Sequence, residues 1–317
     1  MNSNENNPPV VLITGLPRSG TTWLVRSLNQ HPKILAFGET HFFTRRWVRP
    51  SRGGRYNSSG LKRVWRNLSS CPFWSAVPLK QDLGKRPGWF SRTSFDDLPD
   101  VLESARQIAG PNPTPAGVLD SIGRAFCQRE GKSVWVEKTA THGKSVLAIA
   151  RKMPDARFIL TMREPIGFFR SYKFQGSQSS RATRERHARR YHPFIAALVW
   201  RLTYRATRKL RLRHPKSASV FIMSNDEQRR LALEETCRIL GVAPDDAMYG
   251  TCGIKVNSSD VSEEKRPLDS SDLACIRFLC NVEDPGLKIQ MDLSKAGVFT
   301  FLKAILTLPF WFIRYLR

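Results

Sequence analysis

The apolar run Pro9–Thr14 passes without a break into Gly15-Leu-Pro-Arg-Ser-Gly-Thr-Thr-Trp23, and this junction constrains the fold more than any other stretch of the 317 residues. The run is short and continuous, as a strand covered on both faces should be. Gly15 and Gly20 bound a loop, and Thr21–Asn29 then carries a helical pattern. Strand, glycine-bounded loop and helix N-terminus in that order turn successive backbone N–H groups and the positive end of the helix dipole towards one spot. Such a spot holds an anion, and Gly20 lets the backbone approach it closely.

Four further runs have the same character: Ile34–Gly38, Ser133–Glu137, Arg157–Met162 and Ser219–Met223. Helical patterns follow at Lys144–Met153 and at Glu227–Leu240, the second closed by Gly241 as a C-cap. Alternating strands and helices predict a three-layer α/β fold: a central, mostly parallel five-stranded sheet with helices on both faces. Ser51–Gly60 and Gly110–Gly117 read as loops. There is no internal repeat. The chain divides into a main domain, 1–295, with an insertion at about 44–129 that covers the sheet and shapes a pocket, and an apolar tail, 296–317.

The frame G-x-x-x-x-G from Gly15 to Gly20 is that of a nucleotide P-loop, but Thr21 stands where a kinase or ATPase carries lysine. The strand Phe158-Ile-Leu-Thr-Met162 runs straight into Arg163, so no Mg-binding aspartate ends it. A phosphate ester or a sulfate mixed anhydride that needs no metal fits better, with Arg18 in the cationic role. Pro17-Arg-Ser-Gly-Thr-Thr-Trp23 resembles the first signature of the sulfotransferases that use 3′-phosphoadenosine 5′-phosphosulfate (PAPS) as donor. Arg163, Pro165 and Ser171 are similar to the second signature, in which a strand-end arginine and a serine eight residues on hold the 3′-phosphate. A guanidinium offers bidentate contact to phosphate, and the hydroxyl adds a further donor.

Trp135-Val-Glu-Lys-Thr-Ala-Thr-His142 is similar to the E-K-T-P-x-H segment of bacterial members, with Ala140 in place of the proline. The resemblance implies that Lys138 bridges the phosphosulfate and the acceptor. It also implies a donor-binding set of Arg18, Ser19, Gly20, Thr21, Thr22, Arg163 and Ser171. Lys255, in a stretch similar to the family's C-terminal closing loop, reads equally as a donor ligand or a surface lysine. Many members carry an aromatic-acidic turn after the fifth strand; here Ser224-Asn-Asp-Glu-Gln228 has no aromatic. Glu39, in Gly-Glu-Thr after His31-Pro32, matches the general base of tyrosylprotein sulfotransferases, and the end of a strand is where a ligand crevice opens in such sheets. An ion pair with a nearby arginine is its structural alternative. His142 is the competing base.

The net charge is +24, from 51 Lys and Arg against 27 Asp and Glu. Nine bases and no acid lie between Glu39 and Asp82, and fourteen bases with only Glu185 lie between Glu164 and Asp226. Blocks this one-sided favour an acidic or lipid-linked acceptor, or an anionic membrane surface beside it. No nucleic-acid motif accompanies them. Six scattered cysteines read as thiols of a reducing compartment. The polar N-terminus has no signal-peptide pattern, which makes the expected location cytoplasmic.

Val298–Leu316 is almost wholly apolar, with Thr300, Lys303, Thr307 and Arg314 on one narrow helical stripe and Pro309 placed to kink it. It is too short and too charged for a span. It either lies in a membrane interface, with Lys303, Arg314 and Arg317 at the headgroups, or packs on protein. Two other functions compete with PAPS-dependent sulfuryl transfer: a basic anion- or glycan-binding protein with a relic P-loop, and a P-loop phosphotransferase.

Overall fold

Along the first strand, β1 (Val11–Gly15), Val11 and Ile13 enter one apolar core and Leu12 enters another, so the strand is buried on both faces. The computed structural model describes residues 9–50, 54–69, 98–175, 181–223, 225–251, 267–284, 287 and 297–316. Four more strands pair with β1 or its neighbours: β2 (Ile34–Phe37), β3 (Val134–Lys138), β4 (Arg157–Met162) and β5 (Ala218–Ile222). All pairings are parallel, in the order β2-β3-β1-β4-β5. The expected α/β three-layer fold is therefore present, with the glycine loop at the C-terminal edge of the central strand.

One face is covered by α1 (Thr21–Leu28) and α9 (Asp226–Leu240), which bring Trp23, Leu24, Leu28 and Leu233 against Ile13 and Ile159. The other carries α2 (Ser58–Ser69), α3 (Leu98–Ala109), α4 (Pro115–Glu130) and α5 (Val146–Lys152), with Trp65, Phe126 and Ile149 packed on Phe37 and Trp135. A third cluster joins α6 (Pro165–Lys173), α8 (Pro193–Arg213) and α10 (Ser270–Cys275) around Phe168, Phe169 and Trp200. The short basic helix α7 (Arg181–Arg190) lies between α6 and α8 in the chain.

Local chemistry sets the helix ends. Asn225 caps α9 by accepting from the Gln228 N–H at 2.9 Å, and Gly241 ends it in a left-handed conformation. Thr114 caps α4, with Pro115 as its first residue, so this helix begins inside the stretch read as the loop Gly110–Gly117. Likewise α2 starts at Ser58, within Ser51–Gly60. The helix read as Lys144–Met153 is preceded by a 3₁₀ turn, Ala140–Ser145. The region read as an insertion contributes more than a cover. α4 packs directly on β2 and β3, and Gly123 lies so close to Trp135 that a Cβ there would collide with the indole. Residues 70–97 of that region are outside the described residues.

The tail forms two helices, α11 (Val298–Leu306) and α12 (Leu308–Leu316), broken at Thr307 just ahead of Pro309. Among the described residues no helix is long and apolar enough to cross a membrane. Cys127, Cys237, Cys275 and Cys280 are buried free thiols, while Cys71 and Cys252 lie outside the described residues.

Gly15 is the tightest point of the sheet edge. Its φ is +135°, and a Cβ would run into the Thr161 backbone. Gly15→Ala combines backbone strain with overpacking and should cost about 2–5 kcal/mol in chemical denaturation. Gly54, at φ +76° with open space around it, is the control. Gly54→Ala should cost only about 1–2 kcal/mol, and equal losses at the two positions would contradict this account.

Candidate active site

The glycine loop is held from below. The Leu16 N–H donates to the Thr161 carbonyl at 2.8 Å, and the buried Ser19 hydroxyl shares a 2.6 Å hydrogen bond with Thr161 Oγ1. The Ser19 hydroxyl also donates to the Leu16 carbonyl at 2.5 Å, so it faces into the protein and shapes the loop. Gly20 takes φ +92° at the entrance to α1, where a side chain would be strained. Arg18 has φ +68°, and apart from His41 no other described non-glycine residue has a positive φ. Strain of this kind persists only where surrounding contacts enforce it.

Those contacts assemble the first half of the site. Arg18 Nε donates to Ser171 Oγ at 3.2 Å, and the Arg163 guanidinium donates to the Arg18 carbonyl at 3.4 Å. Arg163 follows β4, and Ser171 lies on α6, which Glu164 caps by accepting from the Gly167 N–H at 2.6 Å. Trp200 on α8 donates its indole N–H to the Arg163 carbonyl at 3.0 Å. Three residues from two signatures, Arg18, Arg163 and Ser171, thus meet beside the loop. Two guanidiniums, a hydroxyl and loop N–H groups form a set suited to a phosphate.

The second half lies towards β2 and β3. Lys138 Nζ sits 3.1 Å from Glu39 Oε1 and 3.5 Å from Thr22 Oγ1. The other Glu39 oxygen is 3.4 Å from His41 Nε2, and His41 Nδ1 is 3.1 Å from Thr141 Oγ1. Glu39 remains 38% exposed, so its carboxylate faces the crevice. Burial pushes its pKa up, but the hydrogen bond from His41 and the charge and hydrogen bond of Lys138 outweigh this and hold it at about 2.

Under this surface lies a buried polar network. Glu137 is fully buried and accepts from the Thr40 hydroxyl at 2.6 Å, from the Thr40 N–H at 3.3 Å and from the Thr139 hydroxyl. Thr139 Oγ1 in turn accepts from the backbone N–H groups of Thr40 and His41, both at 3.0 Å. Glu137 therefore fixes the backbone that carries Glu39 and His41. Burial outweighs these hydrogen bonds and raises its pKa to about 7. His142 is only 1% exposed, stands 3.9 Å from Glu137 and packs on Phe43. Burial, followed by the field of His41, lowers its pKa to about 3.

Arg18, Gly20, Thr21, Thr22, Glu39, Lys138, Arg163 and Ser171 are thus gathered around one loop, while Ser19 and His142 lie beneath it. Lys255 lies outside the described residues. Sequence reading missed His41, Thr139 and Glu137. The signal available for His41 was its place two residues beyond Glu39 at the end of β2.

Residues 9–223 match the family described as "Sulfotransferase family". No curated protein sequence matches the chain. Among solved structures it is similar to the sulfotransferase domain of the Synechococcus PCC 7002 olefin synthase: 17% identity, 96% of this chain and 97% of that one, TM-score 0.44. It is also similar to the sulfotransferase domain from the curacin biosynthetic pathway, at 16% identity over 91% of this chain and 96% of that one, TM-score 0.45. A sulfotransferase from Alicyclobacillus acidocaldarius shares 17% identity over 84% and 90%, TM-score 0.41.

Glu137 makes the network pH-sensitive. Its folded pKa, about 7, lies above the ordinary 4.5, so between those values the folded state binds more protons than the unfolded state. Stability contributed by the protonated carboxyl is complete below pH 4.5 and is lost as pH rises towards 7. The loss is at most about 3 kcal/mol. Glu137→Gln cannot titrate, so its thermal midpoint should gain on that of the parent from pH 5 to pH 8. Parallel midpoint curves would show that Glu137 is ionised throughout.

Proposed function

The chain belongs to the sulfotransferase family, and from that premise we propose that it transfers a sulfuryl group from PAPS to a hydroxyl or amine of an acceptor without a metal ion. The reading is carried by one observation: Lys138 stands between Glu39 and Thr22, next to the loop where Arg18, Arg163 and Ser171 converge. The cationic cluster supplies donors suited to a nucleotide 3′-phosphate, and this reading puts the reacting groups beside the Lys138–Glu39 pair. In this reading Arg18, the loop N–H groups and Thr22 hold the 5′-phosphosulfate, while Arg163 and Ser171 hold the 3′-phosphate.

Transfer proceeds in line. The acceptor oxygen or nitrogen bonds to sulfur as the bond from sulfur to the 5′-phosphate oxygen breaks, and the leaving group is 3′-phosphoadenosine 5′-phosphate. The acceptor proton goes to Glu39. A carboxylate held at about 2 is a weak base while both its neighbours grip it. Lys138 turning from Glu39 to the oxygen of the breaking bond loosens that grip and strengthens the base as negative charge builds on the leaving group. His142, only 1% exposed, is poorly placed to reach the acceptor proton.

The acceptor fits a carbohydrate or glycolipid, acidic or lipid-linked, because the two basic blocks greatly exceed what one nucleotide needs. The same reading assigns residues 1–295 to the transferase domain and 296–317 to an attached apolar tail. It places the protein in the cytoplasm, peripheral on the inner face of the membrane.

A thermal-shift comparison of 3′-phosphoadenosine 5′-phosphate, ATP with Mg²⁺ and an oligonucleotide tests the donor. The bisphosphate nucleotide should raise the midpoint most; stabilisation by ATP with Mg²⁺ alone would favour phosphoryl transfer, and by the oligonucleotide alone a binding protein. Arg18→Ala and Lys138→Ala should each slow PAPS consumption by about 10²–10³-fold, equivalent to about 2.7–4 kcal/mol. Their midpoints without nucleotide should stay near that of the parent. Parent-rate turnover by either variant would refute its assigned role, and mass spectrometry of sulfated products from cells with and without the protein would identify the acceptor.

A further inference from the structure

Of thirteen large hydrophobic side chains exposed among the described residues, eight lie between Val298 and Tyr315. The tail is nonetheless anchored on its inner side. Ala304 is buried, Phe301 packs on Phe194 and Phe278, Trp311 packs on His192, and the Thr307 hydroxyl lies 3.1 Å from His192 Nε2. The outer side carries Val298, Phe299, Leu302, Leu306, Phe310 and Ile313, at the spacing of one helix face continued across the break. Phe299 is 90% exposed, Phe310 74% and Leu306 72%. Scattered exposed apolar residues are ordinary, but a contiguous face of this kind marks an interaction surface.

We infer that this face docks on the surface of an anionic lipid bilayer. Charge selects the occupant. Lys303 is exposed within the apolar face, and the basic helix α7 packs against α12 with Arg186, Arg189 and Arg190 exposed. A second copy on the same face would bring two such cationic borders together on chains of net charge +24. A bilayer with acidic headgroups takes the aromatic and aliphatic side chains into its interface and pairs the flanking cations with its own charge. Each helix is nine residues, about 13 Å, so the pair lies along the surface rather than across it.

Flotation of the full chain with phosphatidylcholine vesicles, with and without phosphatidylglycerol, tests this. The parent should float with the anionic vesicles, less so as salt rises, and remain unbound with phosphatidylcholine alone. Phe299→Glu with Phe310→Glu, both at exposed positions, should weaken binding at least about tenfold without moving the thermal midpoint. Arg189→Glu with Arg190→Glu should weaken it on anionic vesicles. Any of three results overturns the inference: no flotation of the parent, flotation unchanged in the phenylalanine variant, or a parent dimer in lipid-free buffer that the phenylalanine variant dissociates. The readout is lipid binding alone, so it stands or falls separately from sulfuryl transfer.

Discussion

The parallel pairing of β1 between β3 and β4 is the constraint on which the rest of the molecule depends. Val11 lies opposite both Val136 and Arg157, and Gly15 lies opposite Thr161. That register brings the glycine loop, Lys138 and Arg163 out at the same edge of the sheet. A one-residue slip of β1 would exchange the faces of Leu12 and Ile13 and move Arg18 away from Ser171. The two strand faces, each filled by a different apolar core, exclude such a slip. Site geometry is therefore fixed by the apolar packing of β1 as well as by polar contacts at the sheet edge.

Two carboxylates linked through Thr40 and Thr139 behave in opposite ways. Glu39 faces the crevice beside Lys138 and His41, and its charged form is favoured. Glu137 points inward from the strand that carries Lys138, and desolvation favours its neutral form. Thr139 links the two, because its hydroxyl donates to Glu137 and accepts from the N–H groups of Thr40 and His41. The exposed carboxylate is oriented by the buried one, which is a structural task that needs no charge of its own.

The strands and the cradle were legible because their signals are local. Continuous apolar runs between polar segments gave five strands within a residue or two of their observed ends, and the Arg18, Arg163 and Ser171 spacings lead to residues that meet. The network under the site was not legible. Its contacts join Thr40 to Glu137 and Thr139, about a hundred residues away, and no local pattern encodes them. The start of α4 falls inside the stretch Gly110–Gly117 that reads as a loop, because Pro115 is compatible with a turn and with the first position of a helix. The tail was readable as apolar but not as broken at Thr307, because the helix ends ahead of Pro309 rather than bending at it.

α8 connects parts that otherwise share little. Near its start, His192 and Phe194 hold the tail; at its middle, Trp200 holds the Arg163 carbonyl; and near its end, Leu210 is buried in the core under the sheet. Its 21 residues form a rod of about 30 Å. The tail, the end of β4 and the core under the sheet are therefore all tied to one continuous helix.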